Sequence, residues 1–408
     1  MKCRHCQSPL QLSLVDLATS PPSNAYLRTD QLDSPERWYP LRVLVCEHCW
    51  LVQTEDFTQA DQLFDADYAY FSSFSDAWLK HAQTYVTTMI ERFGLSAAHR
   101  VVEIASNDGY LLQYVQAAGI PCYGIEPTAS TAAAARAKGV ESIERFFGTA
   151  LADELATAGR RADLIAANNV LAHVPDINDF VAGFARLLTP AGVATFEFPH
   201  LLKLLEHCQF DTIYHEHFSY LSLTAVARIF KANGLQVFDV EEWPTHGGSL
   251  RVFAQRTGGP HEVSPAVAAM LAREFQAGLT QRDTYHSFQA RAEAIKNAFV
   301  GFLLECKARG ERVAAYGAAA KGNTLINFAG IRADLLAYVV DRNPAKQGKF
   351  LPGSRIPIVS PEHLIADQPA WIVILPWNLR DEVIGQMAEA RQWGARFVTA
   401  IPELTVHA

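Results

Sequence analysis

No run of roughly eighteen apolar residues occurs anywhere in the chain, which excludes an ordinary membrane-spanning helix. The opening MKCRHC lacks the apolar core of a secretory signal, so a soluble cytoplasmic protein without a membrane partner is expected. Positive charge is scarce: Lys and Arg number 35 against 43 Asp and Glu, giving a formal charge of -8. No basic tract supplies the phosphate-neutralising stripe of a nucleic-acid binder. Seven cysteines are too few for a disulfide scaffold in 408 residues. The 24 Gly and 20 Pro are scattered, and 49% of residues are hydrophobic against 19% charged, which leaves little room for disorder. The GxGxxG fingerprint, a complete P-loop and the HExxH spacing of zinc hydrolases are also missing.

What is present is a chain long enough for two to four domains at roughly 100 to 200 residues each. From Arg100, short apolar runs (RVVEIA, CYGIEP, LIAANNV, GVATFEFP) alternate with helical stretches such as TAAAARAKG and DFVAGFARLL. That alternation predicts an α/β fold with a parallel sheet and crossover helices. A smaller alternation begins near Arg312 and predicts a second open α/β domain. The expected organisation is a metal-stapled module over 1–57, a connector or lid over 58–98, a central domain over 99–259, connecting helices over 260–310 and a C-terminal domain over 311–408.

Cys3 with Cys6 and Cys46 with Cys49 form two CxxC pairs, 39 residues apart. Two such knuckles offer four thiolates to a tetrahedral zinc, and closing a loop of that length costs only logarithmically more than a short one. Four protein ligands leave no open position, so the zinc is expected to be structural. Cys122, Cys208 and Cys306 stand in apolar surroundings and read as small buried hydrophobes.

VVEIASNDGYLL reads as a strand ending in Glu103, then a small-residue turn from Ala105 to Gly109 that opens a helix. The next strand ends 23 residues further on in Glu126, followed by Pro127, where an acid accepts hydrogen bonds from ribose hydroxyls. An adenosine-bearing cofactor is implied.

EIASNDG, GIEP and NNVLAHVPD resemble the S-adenosylmethionine motifs of class I methyltransferases, in the version found in sugar C-methyltransferases of deoxysugar biosynthesis. The resemblance spans nearly the whole chain, with YHEHFSYLS, HGGSLR and YGAAAKGN in that family's order, and implies a Rossmann-like central domain between a zinc module and a C-terminal Rossmann-like domain. It implies that Glu126 binds ribose, Asn107 and Gly109 the methionine part, and Asn168 with Asn169 the region near the sulfonium. Ala105 departs from the pattern, since Gly is expected there.

Within YHEHFSYLS, a helix would put Tyr214 and His217 on one face and turn His215 away. Histidine titrates near neutrality and suits a general base. By resemblance His217 is that base. His173 reaches the same crevice, Glu216 orients or charge-balances His217, and Tyr214 and Tyr68 hydrogen-bond a substrate oxygen; half-buried packing accounts for the tyrosines as well. A carbon nucleophile requires removal of a proton, and a ketone at carbon 4 of a nucleotide-linked deoxysugar acidifies the hydrogen at carbon 3. The chemistry requires an acidifying group, and the resemblance implies that the substrate is such a sugar, with TDP the favoured nucleotide and a monomeric enzyme. His246 of HGGSLR is expected to shape the sugar pocket, although a plain tight turn explains its glycines equally well. By resemblance the C-terminal domain contributes to nucleotide-sugar binding, which puts Lys321 and Asn323 on the diphosphate at a helix N-terminus, while a solvated surface lysine accounts for Lys321 equally well. A zinc-ribbon nucleic-acid methyltransferase, an NAD-linked oxidoreductase and a non-catalytic scaffold are the alternatives. Residues 1–57 hold five Lys or Arg against seven Asp or Glu, which disfavours the first.

Overall fold

Val101–Ile104, Cys122–Ile125 and Ala162–Asn168 are apolar nearly throughout because each lies inside a parallel sheet with both faces covered. In the computed structural model, which describes residues 1–57 and 71–407, these strands belong to a seven-stranded sheet. Its order is Leu235–Trp243, Ser249–Arg256, Leu188–Pro199, Ala162–Asn168, Val101–Ile104, Cys122–Ile125, Ser142–Ile143. Ser249–Arg256 is antiparallel to both neighbours, and the remaining pairs are parallel. The chain runs outward from Val101–Ile104 and then returns to its other side at Ala162–Asn168. A crevice therefore opens at the carboxyl ends of these two strands, where open α/β sheets bind ligands.

Helices cover the sheet by burying one stripe each. Ile177–Leu187 buries Ile177, Phe180, Val181, Phe184 and Leu187, and its N-terminus is capped by Asp176, whose carboxylate accepts from the Asp179 amide at 3.0 Å. Asp76–Phe93 starts at a Ser75 cap, ends at Gly94 in the left-handed region, and buries Ala82, Tyr85, Val86 and Met89. This helix brings Trp78 and His81 to the rim of the crevice.

The N-terminal residues form an antiparallel sheet of Leu12–Ser20, Tyr39–Val45 and Val52–Thr54, with a fourth strand from elsewhere: Ser219–Tyr220. The YHEHFSYLS segment thus completes the sheet of the cysteine module. A third sheet, in the order Ile358–Val359, Val339–Val340, Val313–Tyr316, Trp371–Ile374, Arg396–Thr399, Thr405–His407, is parallel except for its last strand. Pro265–Gln276 and Phe288–Ala308 lie between the two α/β sheets in sequence. Cys208 and Cys306 are buried and Cys122 is half-buried among apolar neighbours.

Candidate active site

The turn after Val101–Ile104 is bent by three departures from ordinary backbone: Ala105 (φ 56°), Asn107 (φ 49°) and Gly109 (φ 76°). Ala105 thus stands in the left-handed region, which explains why glycine is the natural residue there. At Gly109 a Cβ would meet Val140 at 3.2 Å, so the turn packs closely on the next element. Glu126 holds this turn, accepting from the Asn107 amide at 3.0 Å and the Thr128 amide at 2.9 Å. A carboxylate offers about four acceptor sites, and the Thr128 and Thr131 side chains also bond this one. Glu103 is fully buried, and burial raises its pKa well above the carboxylate range.

Across the crevice, Asn168 and Asn169 end the neighbouring strand. Their side-chain oxygens have no hydrogen-bond partner among the described residues. Buried acceptors of this kind call for a donor, and the ammonium and ribose hydroxyls of S-adenosylmethionine provide donors on this side and at Glu126. The residues present fit that cofactor.

The His-rich segment is a turn, not a helix. The His217 amide donates to the Tyr214 carbonyl at 2.9 Å, so the three-residue spacing still brings the two rings together, with centroids 3.9 Å apart. The His173 ring meets that of His217 edge-on, with centroids 4.7 Å apart. His217 Nδ1 is 2.7 Å from the Thr212 carbonyl oxygen. Burial, and then the charge of His173, push the pKa of His217 well below 6.5. Burial also lowers His173 to about 4.

Glu216 does not orient His217 as expected: its carboxylate accepts from Asn24 Nδ2 at 2.7 Å, and the atom that fixes the His217 ring is the Thr212 carbonyl. A buried carboxyl prefers to stay neutral, and Glu216 is raised to about 7. His215 points away, bonding the Pro40 carbonyl at 3.2 Å. Tyr68 lies outside the described residues.

His246 does reach the crevice. It adopts φ 55° between Thr245 and Gly247, and its Nε2 is 3.2 Å from Asn169 Nδ2. Trp78 packs against it at 5.4 Å. Gly247 is required here, because a Cβ would come within 2.3 Å of Trp377 from the C-terminal sheet domain. Trp377 in turn donates its indole N–H to buried Asp211 at 2.7 Å, and Lys321 Nζ sits 4.7 Å above its ring. Lys321 is half-buried, and its positive charge opposes protonation of both His217 and His246.

Asn323 corrects the expectation set for it. It is fully buried and donates to the Ser23 carbonyl at 2.6 Å, so its amide ties the Ala320–Phe328 helix to the N-terminal module rather than standing open to a diphosphate. The small-residue turn before this helix is also occupied. Tyr26 and Lys346 both donate to the Ala318 carbonyl, at 2.6 and 2.8 Å, and Asp341 accepts from the Ala318 amide at 2.9 Å.

Sequence reasoning missed a buried group beneath the site. Glu197 accepts from Arg251 Nη2 at 2.7 Å and Thr245 Oγ1 at 3.0 Å, and His81 Nε2 lies 2.9 Å from both its oxygens. Burial alone would raise Glu197, but His81 and Arg251 outweigh it and hold the carboxyl at about 2. Arg251 lies 4.8 Å from the Tyr85 ring and 4.4 Å from that of Trp243. An acid inside the apolar strand ATFEF is a visible signal, but nothing local points to His81.

The four cysteines meet. All four sulfurs lie within 4.8 Å of one another, with Cys3–Cys49 and Cys6–Cys46 at 3.5 Å. Tetrahedral thiolates at about 2.3 Å from zinc are separated by close to that distance. Gln7 and Trp50, one residue past each pair, adopt φ 63° and 64° and close matching knuckles. The set fits a structural zinc with no coordination position left for chemistry.

Three protein families match consecutive parts of the chain. Residues 3–64 match a zinc binding domain family, 78–240 a methyltransferase domain family, and 244–402 the family described as the C-methyltransferase C-terminal domain. The C-methyltransferase NovU of Streptomyces niveus is 37% identical over 402 residues, which is 98% of this chain and 96% of NovU. Among solved structures, the magnesium protoporphyrin IX methyltransferase of Synechocystis with bound SAM aligns at 16% identity and TM-score 0.34, covering 44% of this chain and 79% of its own. A S-adenosylmethionine-dependent methyltransferase from Clostridium acetobutylicum aligns at 10% identity and TM-score 0.35, covering 45% and 92%.

Proposed function

The chain belongs to the S-adenosylmethionine-dependent C-methyltransferases with an N-terminal zinc module, and from that premise we propose that it methylates carbon 3 of a nucleotide-linked 4-keto-6-deoxysugar. The observation that carries this reading is the placement of His217: its Nδ1 is occupied by the Thr212 carbonyl, and Tyr214 and His173 flank its ring. A carbonyl only accepts, so Nδ1 carries the proton and Nε2 is the free base.

Glu126, Asn107, Gly109, Asn168 and Asn169 would hold S-adenosylmethionine, which would supply an electrophilic methyl on its sulfonium. His217 Nε2 removes the proton from carbon 3, and the electron pair moves onto the oxygen at carbon 4 as an enolate. Tyr214 and His173 stand beside this base, and a hydrogen bond to the developing oxyanion is worth most in a site that excludes water. Lys321 contributes a cation that favours both the enolate and the diphosphate. His246, held by Asn169, walls the sugar pocket. The TDP nucleotide, action as a monomer, a cytoplasmic location and a role for Tyr68 belong to the same proposal, as do domain limits at 57, 98, 259 and 310.

The test is mass spectrometry after incubation with S-adenosylmethionine and a panel of TDP-, GDP- and CDP-linked 4-keto-6-deoxysugars, with and without a 3-amino group. A single acid-stable methyl on carbon 3 is expected. A methyl on another carbon, or no gain from any of these sugars by protein that binds S-adenosylmethionine, overturns the substrate assignment.

A further inference from the structure

Each residue from His215 to Tyr220 is held by the cysteine module. His215 bonds the Pro40 carbonyl, and Asn24 bonds Glu216. Thr54 Oγ1 donates to the His217 carbonyl at 3.1 Å, and the Thr54 amide donates to the Phe218 carbonyl at 3.2 Å. The Arg4 guanidinium lies 5.3 Å from the Phe218 ring, and Ser219 and Tyr220 pair with Gln53 and Val52. The same short strand reaches the sulfurs. Buried Gln53 donates to Cys3 Sγ at 3.3 Å and accepts from the Arg4 amide at 2.9 Å, while Arg4 Nη2 donates to the Thr54 carbonyl at 3.0 Å.

From this geometry we infer that Thr54 is a positioning residue for His217, and that the four-cysteine centre sets the proton-abstraction step through it. The inference rests on the reading of His217 as the base. The His217 ring has one anchor at the Thr212 carbonyl, inside its own domain. The main chain of His217 has its second anchor at the Thr54 hydroxyl, two residues past the buried Val52 and adjacent to the residue that bonds Cys3. Removing that hydroxyl leaves the His217 carbonyl without its donor and frees the turn to shift. A displacement of about 1 Å at a reacting group is enough to cost up to about 10²-fold in rate. A closed metal site thereby acts on chemistry it never touches.

The test is hydrogen–deuterium exchange at the sugar carbon next to the ketone, in saturating S-adenosylhomocysteine and with a nucleotide-linked 4-keto-6-deoxysugar that the wild type methylates. Thr54→Val, Thr54→Ser and His217→Asn are compared for exchange rate, sugar KM, cofactor affinity and zinc content. Thr54→Val is expected to slow exchange about fivefold or more, with KM, cofactor affinity and one zinc per chain retained, and Thr54→Ser to restore exchange to within about twofold. Wild-type exchange in Thr54→Val, with none in His217→Asn, overturns the positioning role alone. Full exchange in His217→Asn overturns the base assignment, and exchange on none of these sugars by wild type removes both. Should Thr54→Val lose zinc, Thr54→Ser decides: near-normal exchange with zinc bound sustains the inference, and a fivefold loss despite the retained hydroxyl overturns it.

Discussion

His217 Nδ1 lies 2.7 Å from the carbonyl oxygen of Thr212, five residues earlier in the same loop. Because a carbonyl has no proton to give, this contact selects one tautomer and leaves Nε2 as the basic nitrogen. A main-chain acceptor cannot be lost by mutation or ionised by pH. The proposed base is therefore oriented by the fold itself, whereas a carboxylate partner would have raised its pKa and left it protonated near neutrality.

The first prediction follows from that choice. His217→Asn is expected to lower turnover about 10²- to 10⁴-fold, the range for losing a general base, while S-adenosylmethionine affinity stays within about twofold. Burial and His173 hold His217 well below 6.5, so the ring remains neutral as pH falls through that value. The acid limb of kcat/KM is expected well below the ordinary histidine pKa of 6.5. A limb centred on 6.5 in the wild type would show that the ring titrates as if exposed.

Glu216 gives a stability prediction of the opposite sense from a usual carboxylate. Its folded pKa is raised to about 7 from 4.5 by burial, with Asn24 opposing. The folded state therefore keeps a proton that the unfolded chain has released, so this contribution is fully present below about 4.5 and is lost as pH climbs to about 7. Glu216→Gln keeps the oxygen that faces Asn24 and removes the charge. It is expected to be more stable than wild type at pH 8 by roughly 1–3 kcal/mol and to differ little at pH 4.5. Thermal melts at the two pH values check this, and equal differences at both would refute it.

How far the residues announced this arrangement depends on whether the signal was local. The cysteine pairs, Glu103, Ala105, Glu126 and the alternation of strands and helices were legible because each sits within a few residues of the pattern that gives it meaning. The partners of those residues were not. Thr54 and His217 are 163 residues apart, Asn24 and Glu216 are 192, and His81 and Glu197 are 116. Each contact is made by the docking of separate units, which no periodicity encodes. Asn323 was misplaced for a related reason: the strand–turn–helix pattern around it is that of a ligand site, but Tyr26, Lys346 and Ser23 from other segments already fill it.

Ala105 offers a test of the cofactor turn. An L-residue at φ 56° is strained by about 1–2 kcal/mol relative to glycine, and its methyl group narrows the approach to the crevice. Ala105→Gly is expected to tighten S-adenosylmethionine binding by a few-fold, measured by titration calorimetry, without loss of thermal stability. Weaker binding would mean that the methyl group contacts the cofactor productively.

The Ala320–Phe328 helix provides a paired prediction, because two of its residues were expected to serve one purpose and stand in different surroundings. Lys321 Nζ is half-buried, donates to Asn378 at 2.9 Å and rests over Trp377 at the edge of the cleft. Burial lowers its pKa and Asp211 partly restores it. Lys321→Met keeps the stem and removes the cation, so the KM for the nucleotide sugar is expected to rise about tenfold, the loss of roughly 1.4 kcal/mol from a charged hydrogen bond, with S-adenosylmethionine affinity unchanged. Asn323→Ala removes the bond to Ser23 and leaves a buried carbonyl without a partner. It is expected to cost about 1–3 kcal/mol of stability and to leave KM within about twofold. Melting temperature and KM measured on both variants separate the two roles. A rise in KM for Asn323→Ala at unchanged stability would mean that the substrate cleft extends past Lys321 into the helix, and that Ser23 moves aside when substrate binds.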